Sequence, residues 1–202
     1  MALAATKDVQ DAVLADEKRR AVVDVICFRY WWQTDKGLFA PQGGQNLSPR
    51  QFERRWKGGT PNDENLAAMA AEYRRKFSDK AVIASGEDED MSRAAWAFVC
   101  AGGSMPNLPA TTNTKLLAAI PHLQPWPEIS GENRWALREP GKQILVCSRE
   151  GAPAEMDLSA ESGKFRIQVV DEKTGQVEMS AKTIPAGNKV TLPNGVVWLT
   201  RE

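Results

Sequence analysis

The apolar pattern changes its period around Pro121, Pro125 and Pro127, and that change constrains the fold more than any other feature of the chain. Proline cannot continue a helix and cannot donate to a ladder, so prolines this close together end whatever regular element precedes them. Ahead of the break the apolar residues form β-branched runs and stripes at spacings of three and four. Behind it they form short runs separated by Gly141, Gly151, Gly163, Gly175, Gly187 and Gly195. The first texture belongs to parallel strands with crossover helices, the second to antiparallel strands joined by tight turns. The chain therefore reads as α/β plus all-β, divided in the 127–133 linker into an α/β region, residues 1–129, and a β-sandwich, residues 130–202.

Within the first region, Lys7 to Arg20 reads as a helix with Val9, Ala12, Val13 and Asp16 on one face. Ala21 to Phe28 follows as an almost unbroken β-branched run, the signature of a strand covered on both faces. Arg29 to Leu47, with Gly37, Pro41, Gly43 and Gly44, is too irregular for any element, and loops of this length are usually functional. Ser48-Pro49-Arg50-Gln51 forms a capping box that opens a helix. Thr60-Pro61-Asn62-Asp63 repeats the signal ahead of a stripe of Leu66, Met69, Ala70, Tyr73 and Phe77. Lys80 to Ala84 is a short strand, Gly86 to Asp90 an acidic turn, and Met91 to Ala101 a helix apolar almost all round. Gly102 to Pro106 is either a very short strand or a turn, and Thr112 to Ile120 is a last helix. In the second region strands are predicted at Trp135 to Leu137, Gln143 to Ser148, Glu155 to Leu158, Lys164 to Val170, Val177 to Ser180, Lys189 to Leu192 and Val196 to Thr200.

Composition narrows the function. The chain has 202 residues and 42% hydrophobic content, enough for a packed core. Lys plus Arg and Asp plus Glu both number 26, and no long basic block supplies the footprint that phosphate backbones require, so nucleic acid is not an expected partner. Met1 to Gln10 lacks an apolar run of signal-peptide length, and no membrane partner is expected. Cys27, Cys100 and Cys147 lie far apart in apolar surroundings without CxxC spacing and read as buried thiols. His122 has no triad or zinc partners at recognisable spacing and reads as structural or surface. No metal and no cofactor is expected.

Two sets of motifs carry a resemblance. Val23-Asp24-Val25-Ile26 through Tyr30-Trp31-Trp32, then Ala40-Pro41-Gln42-Gly43-Gly44-Gln45-Asn46-Leu47-Ser48-Pro49-Arg50-Gln51, with Trp96-Ala97 and Ala101-Gly102-Gly103-Ser104, resemble the end of bacterial glycoside-hydrolase-like (β/α)8 barrel proteins of uncharacterised function. Trp135-Ala136-Leu137, Glu139-Pro140-Gly141-Lys142, Met156-Asp157-Leu158-Ser159, Gly163-Lys164-Phe165-Arg166, Asp171-Glu172-Lys173-Thr174-Gly175 and Val197-Trp198-Leu199 are similar to the small C-terminal β-sandwich named for collagen binding in those proteins. The resemblance implies a partial barrel of about the last three strand-helix units, with the acid/base carboxylate on an earlier, absent strand. It also implies a secreted or periplasmic protein, although this chain shows no leader.

In that frame Glu87 follows a strand on the rim where barrel active sites lie and matches the position of a nucleophile. Glu87 to Asp90 equally suit the positive end of the next helix. Arg29, Tyr30, Trp31 and Trp32 leave the first strand on the same rim and either stack against sugar or simply pack. Gln42 to Asn46 lacks the lysine of a phosphate loop and reads as a structured rim loop. Arg54 and Trp56 line the rim or face a neighbouring element, while Trp126, Trp135 and Trp198 pack the two units together or fill the sandwich. A retaining glycosidase needs two carboxyl groups about 5 Å apart, and Asp24 or, better, Asp35 is the candidate to join Glu87. Three readings follow: a carbohydrate-active remnant that does not hydrolyse alone, a polysaccharide- or extracellular-polymer-binding module, or an active hydrolase with Glu87 as nucleophile. The expected partners are carbohydrate and a further chain, or a second copy, covering the open barrel edges.

Overall fold

A computed structural model of the chain describes residues 1–4, 7–29, 33–34, 37–38, 63–85, 92, 94–131, 133–152 and 155–202. A parallel β/α region leads, and antiparallel sheets follow. The first part comprises β1 (Ala2–Ala4), α1 (Lys7–Ala15), α2 (Glu17–Arg20), β2 (Val25–Arg29), β3 (Gln33–Thr34), β4 (Gly37–Leu38), α3 (Asp63–Lys76), β5 (Ala81–Ser85), α4 (Ala95–Cys100) and α5 (Thr114–Ala119).

The parallel sheet has the order β1-β2-β5. Ile26 and Val82 stand opposite each other in register and are fully buried, which is why both strands read as apolar runs. β1 is a strand that the sequence does not announce, because Ala2–Ala4 is too short and too alanine-rich to show a period. The helix predicted over residues 7–20 breaks in two. Asp16 takes an extended backbone (φ −81°, ψ 117°), and its carboxylate accepts from Arg19 N at 3.0 Å, capping a new helix. Its buried side is not the one predicted: Gln10 and Leu14 are buried and Ala12 is exposed. On α3 the predicted stripe holds, with Leu66, Met69, Ala70 and Tyr73 buried. Tyr73 donates to Asp11 Oδ1 at 3.1 Å and stacks on Phe77 with centroids 6.5 Å apart, tying α3 to α1. The helix predicted to open at Ser48 lies outside the described residues.

The second part comprises β6 (Gln124–Pro125), β7 (Arg134–Glu139), β8 (Gln143–Ser148), β9 (Glu155–Asp157), β10 (Lys164–Val170), β11 (Val177–Pro185), β12 (Lys189–Thr191) and β13 (Gly195–Arg201). One antiparallel sheet runs β11-β10-β13-β8-β7-β6, and β12 pairs with β9 in a small second sheet. Alternate residues of the central strands enter different cores. Trp135, Leu137, Leu145, Cys147, Val196 and Trp198 face the core that holds α3 and α4. Ala136, Ile144, Val146, Val197 and Leu199 face the core closed by Met156, Leu158 and Val190 of the small sheet and its flanks. The central strands are thus nearly continuous apolar runs although the sheet is antiparallel, because both faces are covered.

Helix α4 is buried along its whole length and packs against α3 and against β7 and β8 of the six-stranded sheet. Trp96 Nε1 donates to the Glu172 carbonyl at 3.0 Å, and the Glu172 carboxylate grips Arg149 through two bonds of 2.9 Å. Beside it, Asn113 N donates to Gly175 O at 2.9 Å and Gln176 Nε2 to Thr111 O.

Candidate functional site

Parallel pairing decides which residues share a rim. Arg29, the last residue of β2, stands opposite Ser85, the last of β5, so the two strands end side by side at the carboxyl edge of the sheet, and Tyr30 and Gly86 come next in sequence. Asp24 belongs to the other end: it precedes β2, and its carbonyl accepts from Ala81 N at 3.1 Å. At ~3.3 Å per residue the five-residue strand sets Asp24 roughly 17 Å from that rim. Asp24 therefore cannot be the partner carboxylate of a group on the rim.

The amino end of the sheet is a polar clamp. Lys80 is buried, and its Nζ donates to Val23 O at 2.7 Å and to Asp79 at 3.2 Å. The Lys80 hydrogen bond holds the Asp79 carboxyl below its usual range. Arg74 Nη1 donates to Ser78 O at 3.0 Å and Lys80 O at 2.7 Å, fixing the turn into β5. These contacts position strands.

Of the candidates for that chemistry, Glu87, Asp35, Tyr30, Trp31 and Trp32 lie outside the described residues, as do Gln42 to Asn46, Arg54, Trp56 and the side chain of Arg29. The loop predicted to hold no element does contain one: β3 pairs antiparallel with β4, and Asp35 falls between them in sequence. Two-residue strands are too short for any periodicity to reveal them.

The sequence also gave no warning of a cleft of about 580 Å³ beside the Gly102–Pro106 segment. Ser104 N donates to Val82 O at 2.6 Å, whereas Ala81 N donates to the β2 side, so alternation along β5 places Ser104 on its far edge, in a turn that follows α4. Gly102 takes φ +92°, and a Cβ there would press on Arg74 and Pro125 at 3.0 and 2.9 Å. The wall is apolar, with Val99, Leu108, Leu117, Ile120 and Leu123, and among the described residues that line it the only side-chain charge is that of Arg74.

The remaining candidates serve packing. Trp126 is buried in the outer core with the Arg138 guanidinium 4.3 Å above its ring, and Arg138 also meets the buried Glu161 at 3.4 Å, whose carboxylate accepts from Gly141 N at 2.9 Å. Trp135 and Trp198 face the inner core. His122 is exposed in a 3₁₀ turn. None of the three cysteines forms a disulfide; Cys100 and Cys147 are buried and Cys27 is partly so, and burial pushes the Cys100 thiol well up. Among the described residues no group of three or more His, Cys, Asp or Glu is placed to hold a metal ion. No described helix is long and apolar enough to cross a membrane.

Comparison with known proteins gives two findings. The family described as "Domain of unknown function (DUF6298)" matches residues 1–123. Among solved structures, a glycoside hydrolase family 5 protein from Bacteroides vulgatus ATCC 8482 superposes with a TM-score of 0.54 at 15% identity, over 93% of this chain and 53% of the hydrolase chain. At that identity the likeness is one of fold, and the chain spans about half the length of the hydrolase. No curated protein matches the chain.

Proposed function

Because the chain belongs to the DUF6298 family, a domain of unknown function, we propose that it is the carboxy-terminal part of a carbohydrate-active, glycoside-hydrolase-like barrel protein that does not hydrolyse glycosides by itself. The observation that carries the reading is the superposition of nearly the whole chain on half of a family 5 glycoside hydrolase. A partial barrel of three parallel strands presents only part of a rim. The mechanism needs one carboxylic acid to protonate the leaving oxygen and a second carboxylate to attack the sugar carbon, and Glu87 is offered here for the second role alone. Sugar contact is assigned to Arg29, Tyr30, Trp31 and Trp32, which end or follow β2 in sequence, as Glu87 follows β5, and the two strands end side by side. Residues 1–129 are proposed as the barrel-type portion and 130–202 as the sandwich of the kind named for collagen binding, with β6 splicing the first into the sheet of the second.

Two measurements on the full chain test this. Reducing-sugar release from a panel of plant and microbial polysaccharides should stay at blank level for the wild type and for Glu87→Gln alike. In affinity electrophoresis the wild type should be retarded by at least one of those polymers, and Trp31→Ala with Trp32→Ala should weaken retention about tenfold, given ~1 kcal/mol or more for a stacked aromatic face. Hydrolysis abolished by Glu87→Gln would replace the reading with the active-enzyme one, in which Asp35 supplies the second carboxylate. Retention untouched by the tryptophan changes would move binding to the sandwich.

A further inference from the structure

Arg74 stands in the last turn of α3, and among the described residues no carboxylate pairs with its guanidinium. Nη1 is engaged twice by backbone, with Ser78 O at 3.0 Å and Lys80 O at 2.7 Å, which fixes the plane of the group. Nε is buried and has no hydrogen-bond partner among the described residues. Nη2 bonds to none of them either. Nε–H and one Nη2–H run parallel along one edge of the guanidinium, and that edge is the two-donor fork a carboxylate fills. A buried donor without a partner is costly, and native proteins leave few of them without a reason. Arg74 as a whole is half-buried, so a head group reaches the fork from the Nη2 end.

Arg74 also lines the cleft of about 580 Å³, a volume within the ~300–1,000 Å³ range of small-molecule sites. The rest of the wall offers a ligand little besides apolar surface. Four of its residues are prolines, which have no N–H to give. The N–H groups of Gly102, Gly103 and Ser104 are spent on the carbonyls of Val99, Phe98 and Val82. A neutral sugar, with a hydroxyl on nearly every carbon, would bury more polar groups than this wall satisfies. An apolar body with one anionic head suits both the wall and the charge. Leu117, 41% exposed although it belongs to the wall, supplies apolar surface that a hydrocarbon would cover.

We propose that this cleft binds a small monocarboxylate with an apolar body, the carboxylate on the Nε–Nη2 edge of Arg74 and the hydrocarbon against Leu117, Ile120 and Leu123. The site is independent of the carbohydrate reading, since Arg74 belongs to the amino end of the parallel sheet, opposite the rim that carries Arg29.

The experiment is isothermal titration calorimetry of the full chain with hexanoate, octanoate and decanoate, each below its micelle concentration. One saturable site is expected, with affinity rising roughly two- to fourfold for each added methylene. Octanol, which has the same chain without the charge, should bind at least tenfold more weakly than octanoate. Arg74→Gln should weaken octanoate at least tenfold. Because Arg74 also holds the turn into β5, Leu117→Glu is the second variant: it leaves Arg74 intact, sits at an exposed helix position and sets a negative charge in the wall. It should keep the wild-type circular dichroism and weaken octanoate by a similar factor, and it decides the matter if Arg74→Gln does not fold. No saturable binding of any of the three acids would overturn the proposal. So would octanol binding as tightly as octanoate, or octanoate affinity unchanged in Leu117→Glu. Glucuronate, which has the charge without the apolar body, should give no saturable heat; tighter binding of glucuronate than of octanoate would hand the cleft to sugar acids and overturn the apolar-body assignment.

Discussion

Two glycines with the same backbone separate conformational cost from steric cost. Gly175 (φ +69°) and Gly187 (φ +84°) both occupy the left-handed region, where a side chain costs ~1–2 kcal/mol. A Cβ at Gly187 meets nothing within 4 Å, while one at Gly175 would lie 2.1 Å from Thr112 Oγ1 and 2.6 Å from the Thr112 Cα. Backbone cannot yield as a flexible side-chain tip can, so Gly175→Ala should add an overpacking cost of ~1–3 kcal/mol to the conformational one. Urea denaturation should therefore show Gly187→Ala about 1 kcal/mol less stable than wild type and Gly175→Ala about 3 kcal/mol less stable. Equal losses would mean that the Thr112 segment moves away freely. The contrast matters because Thr111 to Asn113 joins the parallel region to the 171–176 turn, and the closeness that forbids a methyl group is what holds them together.

At the scale of elements, α4 shows how burial on all sides is arranged. Its six residues, Ala95–Cys100, are all buried, so the helix has no polar face and no capping side chain. Such a helix is held by what surrounds it rather than by propensity. Trp96 contributes twice, by filling the inner core and through the 3.0 Å bond from its indole to Glu172 O. Trp96→Phe keeps most of the volume and should cost about 1–2 kcal/mol, chiefly the lost hydrogen bond. Trp96→Ala should cost about 3–5 kcal/mol through the cavity. Denaturant midpoints of the two variants check the split.

Elements of this kind were legible because their composition is extreme: the apolar α4, the β-branched β2, and the sandwich strands, whose glycine turns bracket them to within a residue or two. Gln143–Ser148 and Lys164–Val170 coincide with the predicted runs. Val177–Pro185 extends past the predicted Ser180, since Ala181 to Pro185 has no alternating pattern and is held as strand by pairing with β10. β1, β3, β4 and β6 were illegible, being two or three residues long and created by neighbours rather than by their own side chains. Of the candidate site, sequence reasoning could place Arg29 at a strand end, and the register then set it beside Ser85. It could not remove Asp24, because distance along a strand counts only once the direction of the sheet is known.

For the molecule as a whole, the question is whether the two regions unfold together. A composition break at the prolines suggests independent units, but the inner core draws on both: Leu66, Tyr73, Trp96 and Phe98 come from one side, and Trp135, Leu137, Leu145, Cys147, Val170, Val196 and Trp198 from the other. Separation would expose one whole face of the six-stranded sheet. At roughly 25 cal/mol per Å² that face carries more stabilisation than a typical domain has in reserve. Unfolding should therefore be one cooperative transition, with far-UV circular dichroism and tryptophan fluorescence superimposing in urea. The complementary measurement is on residues 130–202 alone. Lacking α4 to cover Trp135, Leu145 and Trp198, that fragment should bind a hydrophobic dye and show no sharp transition. A fragment that unfolds cooperatively at the midpoint of the full chain would show that the outer core, with Phe165, Ile144 and Leu199 packed against Met156 and Leu158, is sufficient by itself.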